Sequence, residues 1–382
     1  MLLLERWQNK MKVRDQMTNS RGLAGIIVDE TKISSTKNAH LIYAGYPIEE
    51  IAQASFEEVV FLLWHTRLPN KHELTAFRQN LVEQMVLPAE TIRLLLYIAK
   101  EPQHPMSILR TTTSLLGTTN DVEHDEPPKI LAKMLTAIAA IIRIRDNEPL
   151  LEADHHLGVV DNFLLMMTGK KPSQQLSRMF STVMILHADH EFNASTFTAR
   201  VAASTLTDYY SCLTAAVCAL KGPLHGGANE RVFEMLETIK QQQIDPIVYL
   251  QDQLHAKRKI MGFGHRIYKN GDPRAVILKK IAAELAQETD NQVYFQIQTQ
   301  IADYMLEKFK LHPNVDYYTA LIYHCLGLQK ETFTMIFAAC RTVGWLAHIM
   351  EQRQENVLIR PCSAYVGPTG RHYSKGAGEI DE

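Results

Sequence analysis

The sequence predicts a nearly all-α protein built from long helices, and three observations carry that expectation. Only 18 glycines and 15 prolines interrupt 382 residues, below the usual combined share of about 12%, so elements run long. Helix-start signatures recur, in which a Ser or Asn is followed three residues later by Glu. The segment KILAKMLTAIAAIIRIR, residues 129–145, is apolar around most of a helical circumference, as a deeply buried helix is.

The one region with strand character comes first. Gly25-Ile26-Ile27-Val28 and Leu41-Ile42-Tyr43-Ala44-Gly45-Tyr46 flank a stretch of turn-forming residues, which predicts a small N-terminal β-hairpin. Ser55-Phe56-Glu57-Glu58 then reads as a capping box. Ser55 can accept from the Glu58 amide while Glu58 reaches back. It opens an apolar run from Val59 to Trp64 that ends before Pro69. Asn70-Lys71-His72-Glu73 repeats the pattern. Pro88 opens a helix through Leu94, Leu95, Leu96 and Ile98, with Pro102 and Pro105 closing it. Ser173 caps a helix that runs to about His187, and residues 196–220 form a further Ala-rich apolar segment. Helical periodicity continues over 228–241, 245–257, 273–287, 291–309, 317–326 and 331–353. Residues 120–128 and the tail from 361 onward read as irregular and exposed. No fixed period repeats, so a solenoid is not expected.

Composition excludes several classes. A 46% hydrophobic, 21% charged chain has enough apolar surface to fold. Forty basic residues against forty-two acidic ones, with no block of one sign, give no nucleic-acid footprint. No apolar run approaches the roughly 18 residues that span a bilayer, so no membrane partner is expected. Cys212, Cys218, Cys325, Cys340 and Cys362 are odd in number and lack a C-x-x-C spacing. Reduced thiols are expected rather than disulfides or a zinc site. The start, MLLLERWQNKMKVRDQ, lacks the apolar stretch of a secretory signal, so the expected compartment is the cytoplasm.

Three stretches combine Gly, Pro or His where chemistry could sit. In Lys221-Gly222-Pro223-Leu224-His225-Gly226-Gly227, His225 lies just before a helix start. The helix dipole there disfavours imidazolium, so a neutral, hydrogen-bond-donating ring is expected. A turn with an incidental histidine fits the same residues. In Lys257-Arg258-Lys259-Ile260-Met261-Gly262-Phe263-Gly264-His265-Arg266-Ile267-Tyr268-Lys269, followed by Asp272-Pro273-Arg274, glycines let amides approach an anion and cations flank them. A solvated basic loop is the plainer alternative, and neither the P-loop nor the dinucleotide spacing is present. In His312-Pro313-Asn314-Val315-Asp316-Tyr317-Tyr318, apolar neighbours would raise the pKa of Asp316 and make it a base. Taken alone, a helix N-cap aspartate is the simpler reading. Arg341 stands in an apolar sequence, where a charge must be paired or bind an anion. Arg360, before Pro361, reads by itself as a surface residue. His187 and His190 are followed by no further ligand pattern, so no metal site is expected.

HADHEFNASTF, KGPLHGGANE, MGFGHRIYKNGDPR and NVDYY, in this order with Arg341 and Arg360, resemble the citrate synthase family. The resemblance runs from Arg21-Gly22-Leu23 to Tyr365-Val366-Gly367-Pro368, and is to the short bacterial dimeric type. It implies an all-α fold with a large domain, residues 1–221 and 329–382, and a small inserted domain, residues 222–328. The active site would lie in the cleft between them, and closure would exclude water. It implies that His225 donates to the thioester carbonyl of acetyl-CoA, that His265 polarises and protonates the oxaloacetate carbonyl, and that Asp316 removes the methyl proton. His190, Arg274, Arg341 and Arg360 match the dicarboxylate-binding set. In the family the last comes from the partner subunit, implying a homodimer. Lys259, Ile260, Met261, Gly262 and Phe263 match the segment along coenzyme A. Lys269 stands where other members carry Arg against its phosphates. No metal or redox cofactor is implied.

The catalytic residues do not separate acetyl-CoA from propionyl-CoA, because one extra methylene is worth only about 1–3 kcal/mol of discrimination. Trp64-His65-Thr66-Arg67-Leu68-Pro69-Asn70-Lys71 and His187-Ala188-Asp189-His190 look like citrate enzymes. Glu351-Gln352-Arg353-Gln354-Glu355-Asn356 and Ala364-Tyr365-Val366-Gly367-Pro368 look like the 2-methylcitrate branch. The citrate reading is favoured. A catalytically dead helical binding protein would have lost His225, His265 or Asp316, and all three are present.

Overall fold

The computed structural model describes residues 21–23, 25–118 and 126–371. Among them sixteen α-helices alternate with short connections, and the only sheet is small. Strands β1 (Ser34–Ser35), β2 (Ile42–Tyr43) and β3 (Tyr46–Pro47) pair antiparallel in that order. The expected hairpin is therefore partly misplaced. Residues 41–46 turn back on themselves, but their other neighbour is Ser34–Ser35 and not Gly25–Val28. Ile27 is 88% exposed, so that segment has no face to bury against a sheet.

Helices α1 (Ile48–Ile51), α2 (Phe56–His65), α3 (Lys71–Glu83) and α4 (Ala89–Ile98) follow. Both capping boxes form. The Glu58 amide donates to Ser55 Oγ at 3.4 Å and the Ser55 amide to Glu58 at 2.8 Å. The Asn70–Glu73 pair does the same at 3.0 and 2.8 Å. Pro105 begins α5 (Pro105–Leu116), where its missing N–H costs nothing. The sequence reading took it only as a terminator. Next come α6 (Pro127–Arg145), α7 (Val159–Thr168), which was not anticipated, and α8 (Gln174–Ala188). The segment 196–220 is two helices, α9 (Ala194–Ala203) and α10 (Tyr209–Leu220). Leu206 takes φ 63° between them, and Asp208 caps the second by accepting from the Ser211 amide at 2.9 Å. The chain ends with α11 (Ala228–Gln242), α12 (Pro246–His255), α13 (Pro273–Glu288), α14 (Gln292–Phe309), α15 (Val315–Cys325) and α16 (Phe333–Gln354). Pro127 and Pro128 belong to α6, whereas residues 120–125 of the expected irregular region lie outside the described residues. The tail from 361 to 371 is irregular, as expected.

Helix α16 is the axis of the core, packed on α2, α6, α8, α9 and α10. Residues Lys330–Gln354 are long and apolar enough to cross a membrane by length and composition, contrary to the sequence reading. Yet 94% of that window is buried inside the protein, so it is a core helix. Helices α11 to α15 pack mainly on one another and meet the rest through α11 on α16 and through α13 on α1 and α8.

Candidate active site

A cleft of about 1260 Å³ lies where these two groups of helices meet, and His190, His225, His265, Arg274, Asp316 and Arg341 all line it. Each sits at an element end or on the core helix. His190 is on the α8–α9 turn, His225 on the α10–α11 turn and His265 on the α12–α13 loop. Arg274 and Asp316 occupy the first turns of α13 and α15, and Arg341 projects from α16.

The hydrogen bonds around two histidines assign their protons. The Ser195 amide donates to His225 Nε2 at 3.3 Å, and Ser195 Oγ lies 2.8 Å from the same atom. An amide only donates, so Nε2 is an acceptor and the neutral ring carries its proton on Nδ1. Burial and then the Arg341 charge push the His225 pKa down to about 4. A neutral ring is expected from the sequence, and burial and the Arg341 charge both favour it. His265 Nδ1 accepts from the Ile267 and Tyr268 amides at 3.1 and 3.2 Å, which leaves its proton on Nε2. Burial and Arg274 bring its pKa to about 4.

Asp316 is not an N-cap. Asn314 caps α15 by accepting from the Asp316 amide at 3.1 Å, and the Asp316 carboxyl faces the cleft. Burial raises its pKa to about 7, with Arg274 and Arg341 opposing and Asp272 adding to the rise. The ionised form is the base, so the rate should rise with pH through about 7, far above the two histidine transitions. We expect kcat/KM, which reports the free enzyme, to show one acidic limb near pH 7. A limb near 4 alone would contradict this environment.

Two buried guanidinium groups face the same space. Arg274 donates from Nε and Nη2 to Asp272 at 2.9 and 2.8 Å, and Asp272 also accepts from the Val315 amide at 3.2 Å. One carboxylate thus fixes both the arginine and the start of the helix bearing Asp316. Arg341 Nε donates to the His187 carbonyl at 2.7 Å, and among the described residues no carboxylate lies within ion-pair distance. A buried cation so placed favours an anionic ligand. The loop holding His265 is tied to the Asp316 segment as well. The Asn314 amide donates to the Gly262 carbonyl and the Gly264 amide to the His312 carbonyl, both at 2.9 Å. Gly262 has φ 84°, and a Cβ there would lie 2.7 Å from Tyr317 and Val232 atoms.

Lys259, Ile260, Met261, Gly262 and Phe263 line the cleft. Lys269 does not: its Nζ donates to the His265 carbonyl at 3.1 Å, and the cation that lines the cleft nearby is Arg266. Arg360 is exposed on the tail and lines no part of it. The tail is held just before it, where the Ile359 amide donates to Ser204 Oγ at 3.1 Å. Among the described residues no cluster of three His, Cys, Asp or Glu could hold a metal, and all five cysteines are free.

The sequence reading missed the supports. Asp189 is fully buried beside His190, accepting from Ser34 Oγ and from His348 Nε2 at 3.3 Å. Burial alone would raise its pKa, but His348, Arg341 and Ser34 hold it below the usual carboxylate value. Gly344 lets α16 approach, since a Cβ there would strike the Asp189 carboxylate and the Ala188 carbonyl. Tyr268 is 2% exposed and touches both His190 and His265. A polar residue quoted inside a motif was the only sequence signal for either.

The family model described as citrate synthase, C-terminal domain, matches residues 22–362. The chain belongs to the citrate synthase family. Citrate synthase 2 of Bacillus subtilis is 45% identical over 362 residues, covering 92% of this chain and 97% of that protein. The 2-methylcitrate synthase of Shewanella oneidensis is 38% identical, covering 92% and 95%. The citrate synthase of Thermoplasma acidophilum, solved as a ternary complex with carboxymethyl coenzyme A and oxaloacetate, superposes with TM-score 0.86 at 30% identity, covering 94% of this chain and 99% of that one. This citrate synthase family member is an enzyme of that acyltransferase type, and its all-α architecture is the one the resemblance implied.

Proposed function

We propose that the chain condenses acetyl-CoA with oxaloacetate and hydrolyses the resulting citryl-CoA to citrate and CoA. The observation that carries this is a single cleft in which a carboxyl of pKa about 7 faces neutral imidazoles with assigned N–H groups and two buried arginines. Asp316 takes a proton from the acyl methyl, and His225 Nδ1–H donates to the thioester oxygen where charge develops. The resulting enolate carbon attacks the ketone carbon of oxaloacetate; His265 Nε2–H gives its proton to the ketone oxygen, which becomes the hydroxyl, and the proton taken by Asp316 returns through solvent to restore His265. His190, Arg274 and Arg341 hold the two carboxylates, guanidinium groups supplying paired donors. Water then cleaves the thioester. The sequence of steps balances without a metal or redox cofactor.

The small domain is residues 222–328, closing on the large one; the mutual packing of α11 to α15 supports this division. The enzyme works as a cytoplasmic homodimer in which Arg360 completes the partner's dicarboxylate site, a reading supported by its exposure outside its own cleft. Lys259 to Phe263 lie along CoA, and Lys269 meets its phosphates, a role supported by family resemblance, with Arg266 a further cation on the cleft wall.

The second reading is 2-methylcitrate synthase, favoured by relatives of that name at 38–40% identity. The specificity constants for acetyl-CoA and propionyl-CoA with oxaloacetate decide between them. We expect the acetyl value to be the larger; a larger propionyl value assigns the 2-methylcitrate reaction.

A further inference from the structure

The oxaloacetate side of the cleft has a support outside the residues named so far as binding or reacting. Tyr268 lies on the same loop as His265, three residues on. Its side chain is buried, its ring stacks on His265 with centroids 4.5 Å apart and planes 24° apart, and its hydroxyl lies 3.0 Å from His190 Nε2. The Arg274 guanidinium is 5.8 Å from the same ring. One side chain therefore touches three of the groups that face the dicarboxylate.

Hydrogen-bond accounting gives that contact a direction. The phenol O–H has no other acceptor among the described residues. Were His190 Nε2 to donate to the phenol oxygen, the phenol proton would be left without a partner in a buried place, which is costly. With the phenol donating, its proton and His190 Nε2 are paired with each other, and the neutral ring of His190 carries its proton on Nδ1. Burial supports this pairing from both sides, pushing the phenol up and His190 well below its ordinary value.

We propose that Tyr268 is a positioning residue for oxaloacetate, its hydroxyl fixing the tautomer and orientation of His190 while its ring holds His265. The proposal rests on the reading that this cleft binds oxaloacetate. It makes a divided prediction. Tyr268→Phe keeps the ring against His265 but frees His190. The KM for oxaloacetate and its calorimetric Kd should each rise about tenfold, the scale of one hydrogen bond of about 1.4 kcal/mol. kcat and the KM for acetyl-CoA should stay within about threefold. Tyr268→Leu removes the ring too and should lower kcat as well.

The test is steady-state kinetics and oxaloacetate calorimetry on the full-length wild type, Tyr268→Phe and Tyr268→Leu, with thermal midpoints recorded. If the tyrosine were merely structural, its replacement would lower the midpoint and raise both KM values together. Wild type and Tyr268→Phe binding oxaloacetate equally would overturn the proposal and leave the function standing. A wild type that does not bind oxaloacetate would overturn the functional reading, and the proposal with it. Should Tyr268→Phe fail to fold, ¹⁵N NMR of histidine-labelled wild type decides: a protonated Nδ1 on His190 is expected, and a protonated Nε2 contradicts the proposal.

Discussion

Asp316→Asn should bind oxaloacetate normally yet turn over more than about 100-fold more slowly, the scale of a lost general base. The amide keeps the shape of the carboxyl and leaves Arg274 and Arg341 in place, so substrate binding should survive. The same variant carries a second signature in stability. A carboxyl whose folded pKa is about 7 binds its proton more tightly folded than unfolded. It therefore penalises the folded state by an amount that is full above about pH 7 and fades below the ordinary carboxylate pKa of about 4. Asn removes that penalty. The variant should melt above wild type at pH 8, and the difference should vanish near pH 4. Near-normal turnover in a folded Asp316→Asn protein refutes the assignment, and equal midpoints at pH 8 refute the raised pKa.

Arg360→Ala and His225→Ala should each be almost inactive alone, and mixing them under subunit exchange should restore activity. The first lacks a dicarboxylate contact that we assign to the partner's cleft, the second the donor to the thioester oxygen. In a mixed dimer one cleft has both residues and the other neither. Up to about half of the mixed dimers' sites should then work, whereas the parents have none. No recovery despite demonstrated exchange would return Arg360 to its own subunit's cleft or remove it from the site.

The helices were legible because their signals are local. The Ser55 and Asn70 capping boxes and the apolar circumference of residues 129–145 need only neighbours in sequence. The errors came where local patterns are equivocal. Gly25–Val28 has strand residues but no partner strand among the described residues, and Pro105 can end one helix or begin the next. In the site, the motifs carried His225, His265, Asp316 and the arginines, while what tunes them is distant in sequence. Asp189 gains its partners from Ser34 and from His348 on α16, and no spacing announces that meeting. Lys269 was named by position within a motif; its ammonium donates to the His265 carbonyl of its own loop, a contact that no spacing announces.

The most direct test of the account is release of free CoA thiol by the purified protein. Thiol should appear from acetyl-CoA only when oxaloacetate is present, one per citrate formed, and Arg341→Ala should abolish it. Thiol release that is independent of oxaloacetate, or none with either acetyl-CoA or propionyl-CoA in its presence, would contradict the account.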